Sequence, residues 1–157
     1  MNLNDDPRGG TFCVSSAGLA IGDGAKTGPA IVGKDSLGLT YAIDGILYYK
    51  DDASTVIPLT AAAVQAVSTS CLYLIQIDSA GTVSSVKGTE VLTADVTAGS
   101  EVLEWPRPAA GKCPIGAVRI DCDSTHTFTA GTTALDATGI TETYYNFATV
   151  PVNPLTA

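Results

Sequence analysis

The chain has 157 residues, enough for one domain that buries roughly two thirds of its unfolded surface, and 45% of them are apolar against 15% charged, which excludes a disordered tail. A formal charge of −8, from 16 acids and 8 bases with no cluster of Lys or Arg, repels a phosphate backbone and argues against nucleic-acid binding. No apolar run is long enough to span a bilayer, and Met1 to Arg8 has neither a cationic start nor an apolar stretch, so a cytoplasmic product that stays soluble, with no membrane partner, is expected.

Residues 1–39 are rich in glycine, in runs such as Arg8-Gly9-Gly10, Ile21 to Gly24 and Lys26 to Pro29, with only short apolar patches at Phe12 to Val14 and Leu19 to Ile21. Such a segment cannot build a core of its own, and it is expected to be an extended arm held by whatever it docks on. Its removal, over residues 1–30, should leave the body folded. From Tyr41 to Tyr49 the pair Asp44-Gly45 stands between two β-prone runs, which predicts a hairpin closed by a type I′ turn. Thr55 to Leu59 is a further strand candidate, with Pro58 placing it at a sheet edge or a strand end. Thr60 to Val67 has helical propensity but is too short for a stable helix, leaving either a single helical turn or an extended crossing.

Cys71 to Ile77 alternates Tyr73, Ile75 and Ile77 with Leu72, Leu74 and Gln76, so both faces are largely apolar and the segment reads as the central strand. The turn Asp78 to Gly81 leads to a polar strand over Thr82 to Val86. Val91 to Val96 and Val102 to Trp105 are short strand candidates around Thr97 to Ser100, and Pro106 to Lys112 is a rigid connection to a strand over Ile115 to Ile120. Thr127 to Thr129, a turn at Gly131 and a strand over Glu142 to Phe147 precede an extended tail at residues 151–157. Many short strands between turn residues predict an all-β fold, a small sandwich or barrel over residues 40–150.

Reactive chemistry is sparse. Cys13, Cys71, Cys113 and Cys122 are widely spaced, with no C-x-x-C pair, and read as buried thiols rather than zinc ligands or disulfides. His126 is the only imidazole, and neither Ser16 nor Cys122 has an evident base nearby, so no catalytic residue, cofactor site or metal site is assigned and the protein is not expected to be an enzyme. Acid pairs such as Asp121 with Asp123, Glu101 with Glu104, or Asp51 with Asp52 read as solvated turn residues. Asp121 to Thr125 lacks the length, glycine and final glutamate of an EF-hand loop. The candidate interaction surface is aromatic instead: Phe12, Tyr48, Tyr49, Trp105, Tyr144 and Tyr145, weighed against core packing at Trp105 and against one buried member in each Tyr pair.

Four blocks in order carry a resemblance: Tyr41 to Tyr48 (YAIDGILY); Thr69 to Ile75 (TSCLYLI) with Asp78 to Val83 (DSAGTV); Trp105-Pro106 with Gly111 to Val118 (GKCPIGAV); and Gly131 to Gly139 (GTTALDATG) with Thr143 to Tyr145. Over roughly residues 40 to 150 the chain resembles small structural proteins from the head-gene region of tailed bacteriophages, the capsid decoration (cement) and head-fibre class. Related motifs also look like modules of tail fibres and baseplates. The resemblance implies a virion protein on the outer capsid surface with the major capsid protein as partner, no catalytic residues, and a host-surface or glycan-binding module as the alternative. Placement on a lattice favours closed symmetry, hence an expected homotrimer whose arms lie on the capsid protein.

Overall fold

The computed structural model describes residues 10–33, 36–53 and 56–148. Among them run strands β1 (Phe12–Cys13), β2 (Leu19–Ile21), β3 (Pro29–Ile31), β4 (Leu39–Ile43), β5 (Ile46–Lys50), β6 (Thr69–Ile77), β7 (Val83–Lys87) and β8 (Val91–Leu92), then helix α1 (Thr93–Ala98), β9 (Cys113–Cys122) and β10 (Ile140–Asn146). The fold is all-β and built from antiparallel sheets. The strands order as β1-β4-β5, as β10-β9-β6-β7 with β8 also on β6, and as the pair β2-β3. None of these sheets closes into a barrel among the described residues.

β6 lies at the centre of the largest sheet and every one of its nine residues is buried. Its odd-numbered residues Cys71, Tyr73, Ile75 and Ile77 enter the main core, where Leu39, Tyr41 and Ile43 of β4 join them from the three-stranded sheet. β9 reaches the same core along its whole length because of a bulge: Ile75 pairs with Gly116 but Gln76 pairs with Pro114, so Ile115 is the extra residue. One inserted residue reverses which face a strand presents, so Cys113 and Ile115 point inward before it, and Val118, Ile120 and Cys122 point inward after it. Gly116 is required at that step, since a Cβ there would stand 2.4 Å from the carbonyl oxygen of Tyr145.

The Asp44-Gly45 hairpin forms as expected, with φ of 49° and 78° at the two turn residues, the left-handed pair a type I′ turn needs. Thr60 to Val67 takes the extended alternative. Within it Gln65 is fully buried: its backbone exchanges hydrogen bonds with Phe128, its side-chain amide donates to the carbonyls of Thr69 and Ile120, and its side-chain carbonyl accepts from the Tyr73 hydroxyl.

Several expectations are corrected. Residues 10–33 are not an extended arm: β1 pairs with β4, β2 pairs with β3, and Cys13, Ala17, Leu19 and Ile31 are members of the main core. The Leu19 amide donates to the Asn146 side chain at 2.6 Å, so this segment is stitched to β10, and deletion of residues 1–30 would remove part of the core. Residues 1–9 and the tail at 151–157 lie outside the described residues. The strand over Val91 to Val96 stops after Leu92: Leu92 pairs with Thr69, the first residue of β6, and the Thr93 amide bonds the carbonyl of Ser68, whose left-handed backbone turns the chain before β6 out of line. The chain turns into α1 instead, ended by Gly99 in the left-handed conformation. Val102 to Trp105 and Thr127 to Thr129 are not strands, though Phe128 makes its bridge to Gln65. Val56 to Leu59 runs irregularly beside β3, with Ile57 and Leu59 donating to the carbonyls of Pro29 and Thr27, and Thr55 is outside the described residues.

Candidate interaction surfaces

The second face of β6 decides where the exposed aromatics sit. Leu72, Leu74 and Gln76 point away from the main core, and the connection from α1 to β9 folds over them. Gln76 fixes that cover, its side-chain carbonyl accepting from the Ala109 amide at 2.8 Å. Two prolines limit the backbone freedom of the segment Trp105 to Pro108, so the strap holds its shape with few internal hydrogen bonds.

Trp105 sits on this strap, 51% exposed, and packs edge-on against Tyr145 (5.5 Å between ring centres) and Phe147 (5.3 Å). Beside it opens an apolar cleft of about 400 Å³ lined by Leu74, Trp105, Pro106, Pro108, Pro114 and Phe147. On its other side a hollow of about 300 Å³ is bounded by Leu72, Leu103 and Tyr145 together with the charged Glu101 and Arg119. Phe12 lines a smaller neighbouring recess with Phe147 and Pro114. The structure thus brings Phe12, Trp105 and Tyr145 into one region, and it adds Phe147, which the sequence reading had only as the end of a strand.

Tyr48 and Tyr49 are elsewhere, on β5. Tyr48 stacks on Tyr41 (5.6 Å, 22° between planes) and is half-buried, whereas Tyr49 is 58% exposed. Tyr144 does not belong to either surface. It pairs opposite Val118 on the inner face of β10 and packs against the main core, with its hydroxyl buried and without a partner among the described residues.

The cysteines and the Asp123–His126 pair have these surroundings among the described residues. Burial pushes the thiols of Cys71, Cys113 and Cys122 up to about 11 and that of Cys13 up to about 12, which leaves almost no thiolate at neutral pH. Asp123 is held well below the usual carboxylate range, first by the Thr125 amide and then by the ring and amide of His126. These bonds close the loop after β9. Asp121 pairs with Arg119 at 2.8 Å. Among the described residues no three His, Cys, Asp or Glu side chains converge as a metal site would need.

No helix among the described residues is long and apolar enough to cross a membrane. No protein-family model matches the chain, and neither a curated protein nor a solved structure matches it.

Proposed function

We propose that the chain is a non-catalytic structural protein of a tailed-phage particle, a sandwich-like β module that decorates and stabilises the outer capsid surface as a homo-oligomer. The observation that carries this reading is Trp105: a half-exposed indole, braced by two aromatic rings on a proline strap, beside an apolar cleft of about 400 Å³. A rigid aromatic anchor next to an apolar recess is the usual make-up of a protein-binding hot spot. The acidic body supports a position outside the shell, away from packaged DNA. The major capsid protein is the partner this reading assigns to the cleft.

A second reading, a glycan-binding module of a head fibre, tail fibre or baseplate, is favoured by the hollow on the other side of Trp105, where an aromatic face meets Glu101 and Arg119. An apolar plate flanked by hydrogen-bonding groups suits a sugar ring. The copy number of the chain per purified particle, by quantitative mass spectrometry against the major capsid protein, separates the two. A ratio near one per capsid subunit supports decoration; a few to tens per particle overturns it in favour of a fibre or tail component. In either case Trp105→Ala should weaken attachment on the order of 30-fold, as loss of a central aromatic anchor does.

A further inference from the structure

β5 is the last strand of its sheet, and its outer edge carries unused backbone groups. The Thr40 amide donates to the Ser15 side chain and the Thr40 carbonyl accepts from Val14 and Ser15, so the Thr40–Tyr49 pair is one that exchanges no bonds. Bonded and non-bonded pairs alternate along an antiparallel ladder, which turns the N–H and C=O groups of Leu47 and Tyr49 away from β4. Among the described residues no partner meets them. The strand is Ile-Leu-Tyr-Tyr-Lys, with Ile46 59% and Leu47 66% exposed, and none of the usual edge defences is present in it except Lys50.

We propose that this edge pairs with β5 of a second copy, antiparallel across a twofold axis. The charges select that occupant and orientation. Asp44 stands at one end of the strand and Lys50 at the other, so antiparallel pairing centred on Leu47 sets each Asp44 opposite the partner's Lys50. A parallel arrangement would set like against like. In this register the two Leu47 backbones exchange hydrogen bonds, and Ile46 meets Tyr48 of the other copy on one face. Asp52 does not disturb the pairing, because its carboxylate accepts from the Gly33 amide at 2.7 Å. The exposed ion pairs fix the register, while backbone bonds and apolar burial supply the affinity. An isologous edge is used up by one partner, so it joins copies in twos and cannot by itself close a trimer. The inference does not depend on where the protein resides.

Light scattering on the size-fractionated full chain tests it, with a mass twice the 16.0 kDa of the chain expected. Leu47→Pro removes an outward N–H without costing an internal bond, and should weaken association roughly tenfold or more with an unchanged circular dichroism spectrum. Leu47→Lys provides the same test should the proline variant fail to fold. Amide exchange at Leu47 and Tyr49 should slow as protein concentration rises. A single-chain mass at every concentration, a trimer, or concentration-dependent protection confined to other strands overturns the proposal.

Discussion

β5 and β6 are both rich in large apolar side chains, yet all of β6 is buried and no residue of β5 is. The difference lies in what crosses over each strand rather than in the strand itself. β6 has neighbours on both sides and a core on one face, and its other face is roofed by the strap that carries Trp105. β5 has one neighbour, one half-shared face and nothing over its edge among the described residues. A sheet buried on both faces carries the stability of such a molecule, while an open sheet of similar composition leaves an edge that can accept another strand.

The sharpest way to break this comparison is a pair of truncations. Tyr73→Ala in β6 removes a fully buried ring packed edge-on against Phe128 and should cost ~3–5 kcal/mol in urea denaturation. Leu47→Ala in β5 should change the stability of the isolated copy by less than ~0.5 kcal/mol. Equal losses at the two sites would mean that the three-stranded sheet is as deeply built in as the other. A next step down is Gln65→Leu. It keeps the volume but leaves the Tyr73 hydroxyl without its acceptor in the core and takes the side-chain donor from the ladder carbonyls of Thr69 and Ile120, at a cost of ~2 kcal/mol. A loss below ~0.5 kcal/mol would show that the segment crossing at Gln65 is not part of the cooperative unit.

What was legible in the sequence divides along the same line. The hairpin at Asp44-Gly45 and the central strand at Cys71 to Ile77 could be read because turn chemistry and alternation are local properties. The roles of Gln65 and of the glycine-rich segment could not. Gln65 is a polar residue in an alanine-rich stretch, and only the arrival of Phe128, Tyr73 and Ile120 from distant positions makes it a core residue. Cys13, Leu19 and Ile31 look too sparse among glycines to build anything, and they do not build it alone; they complete a core whose other walls come from β4, β6 and β9. β9 was legible only over Ile115 to Ile120, and the bulge at Ile115 hid its start at Cys113, because a strand that changes face shows no steady alternation. Of the candidate interaction surface, Trp105 was legible as an aromatic before a proline and Tyr145 as one member of a tyrosine pair. Their joining with Phe147 depends on the strap folding back over β6.

The cysteines report on the two sheets separately. Cys71, Cys113 and Cys122 belong to β6 and β9, while Cys13 sits in the two-residue strand β1. Each thiol is raised by burial above its value of 9.0 in an open chain, so the protonated form is the one the fold stabilises. That contribution is complete below pH 9.0 and is lost as pH rises towards about 11 for the three and about 12 for Cys13. Thermal midpoints should therefore fall across that window, and a midpoint flat through it would contradict the burial. Pulse alkylation followed by mass spectrometry should find Cys13 modified at lower denaturant than Cys122, because a short strand on the smaller sheet opens more readily than β9. The reverse order would put the weak point of the molecule in its largest sheet.

The smallest expected effects come from removing single hydroxyls, and here the sign is the test. Tyr41 in β4 donates to the Asp78 carbonyl at 2.9 Å, tying the three-stranded sheet to the turn after β6, and Tyr73 donates to Gln65 at 3.3 Å. Phenylalanine at position 73 leaves the buried Gln65 side-chain carbonyl without that donor, and at position 41 leaves the Asp78 carbonyl with the Gly81 amide alone, so each should cost ~1 kcal/mol or less, the larger loss at Tyr73. Tyr144 occupies the same kind of place on β10, with its ring against the core, but its hydroxyl is buried without a partner among the described residues. Its titration is pushed upward, chiefly by burial and further by the carboxylates of Glu142 and Asp136, so ionisation offers it no escape. Tyr144→Phe removes a desolvated polar group that receives nothing in return and should raise stability by ~1 kcal/mol. A loss at Tyr144 matching that at Tyr73 would reveal a bound water serving the hydroxyl, and the inner face of β10 would then be wetter than that of β6.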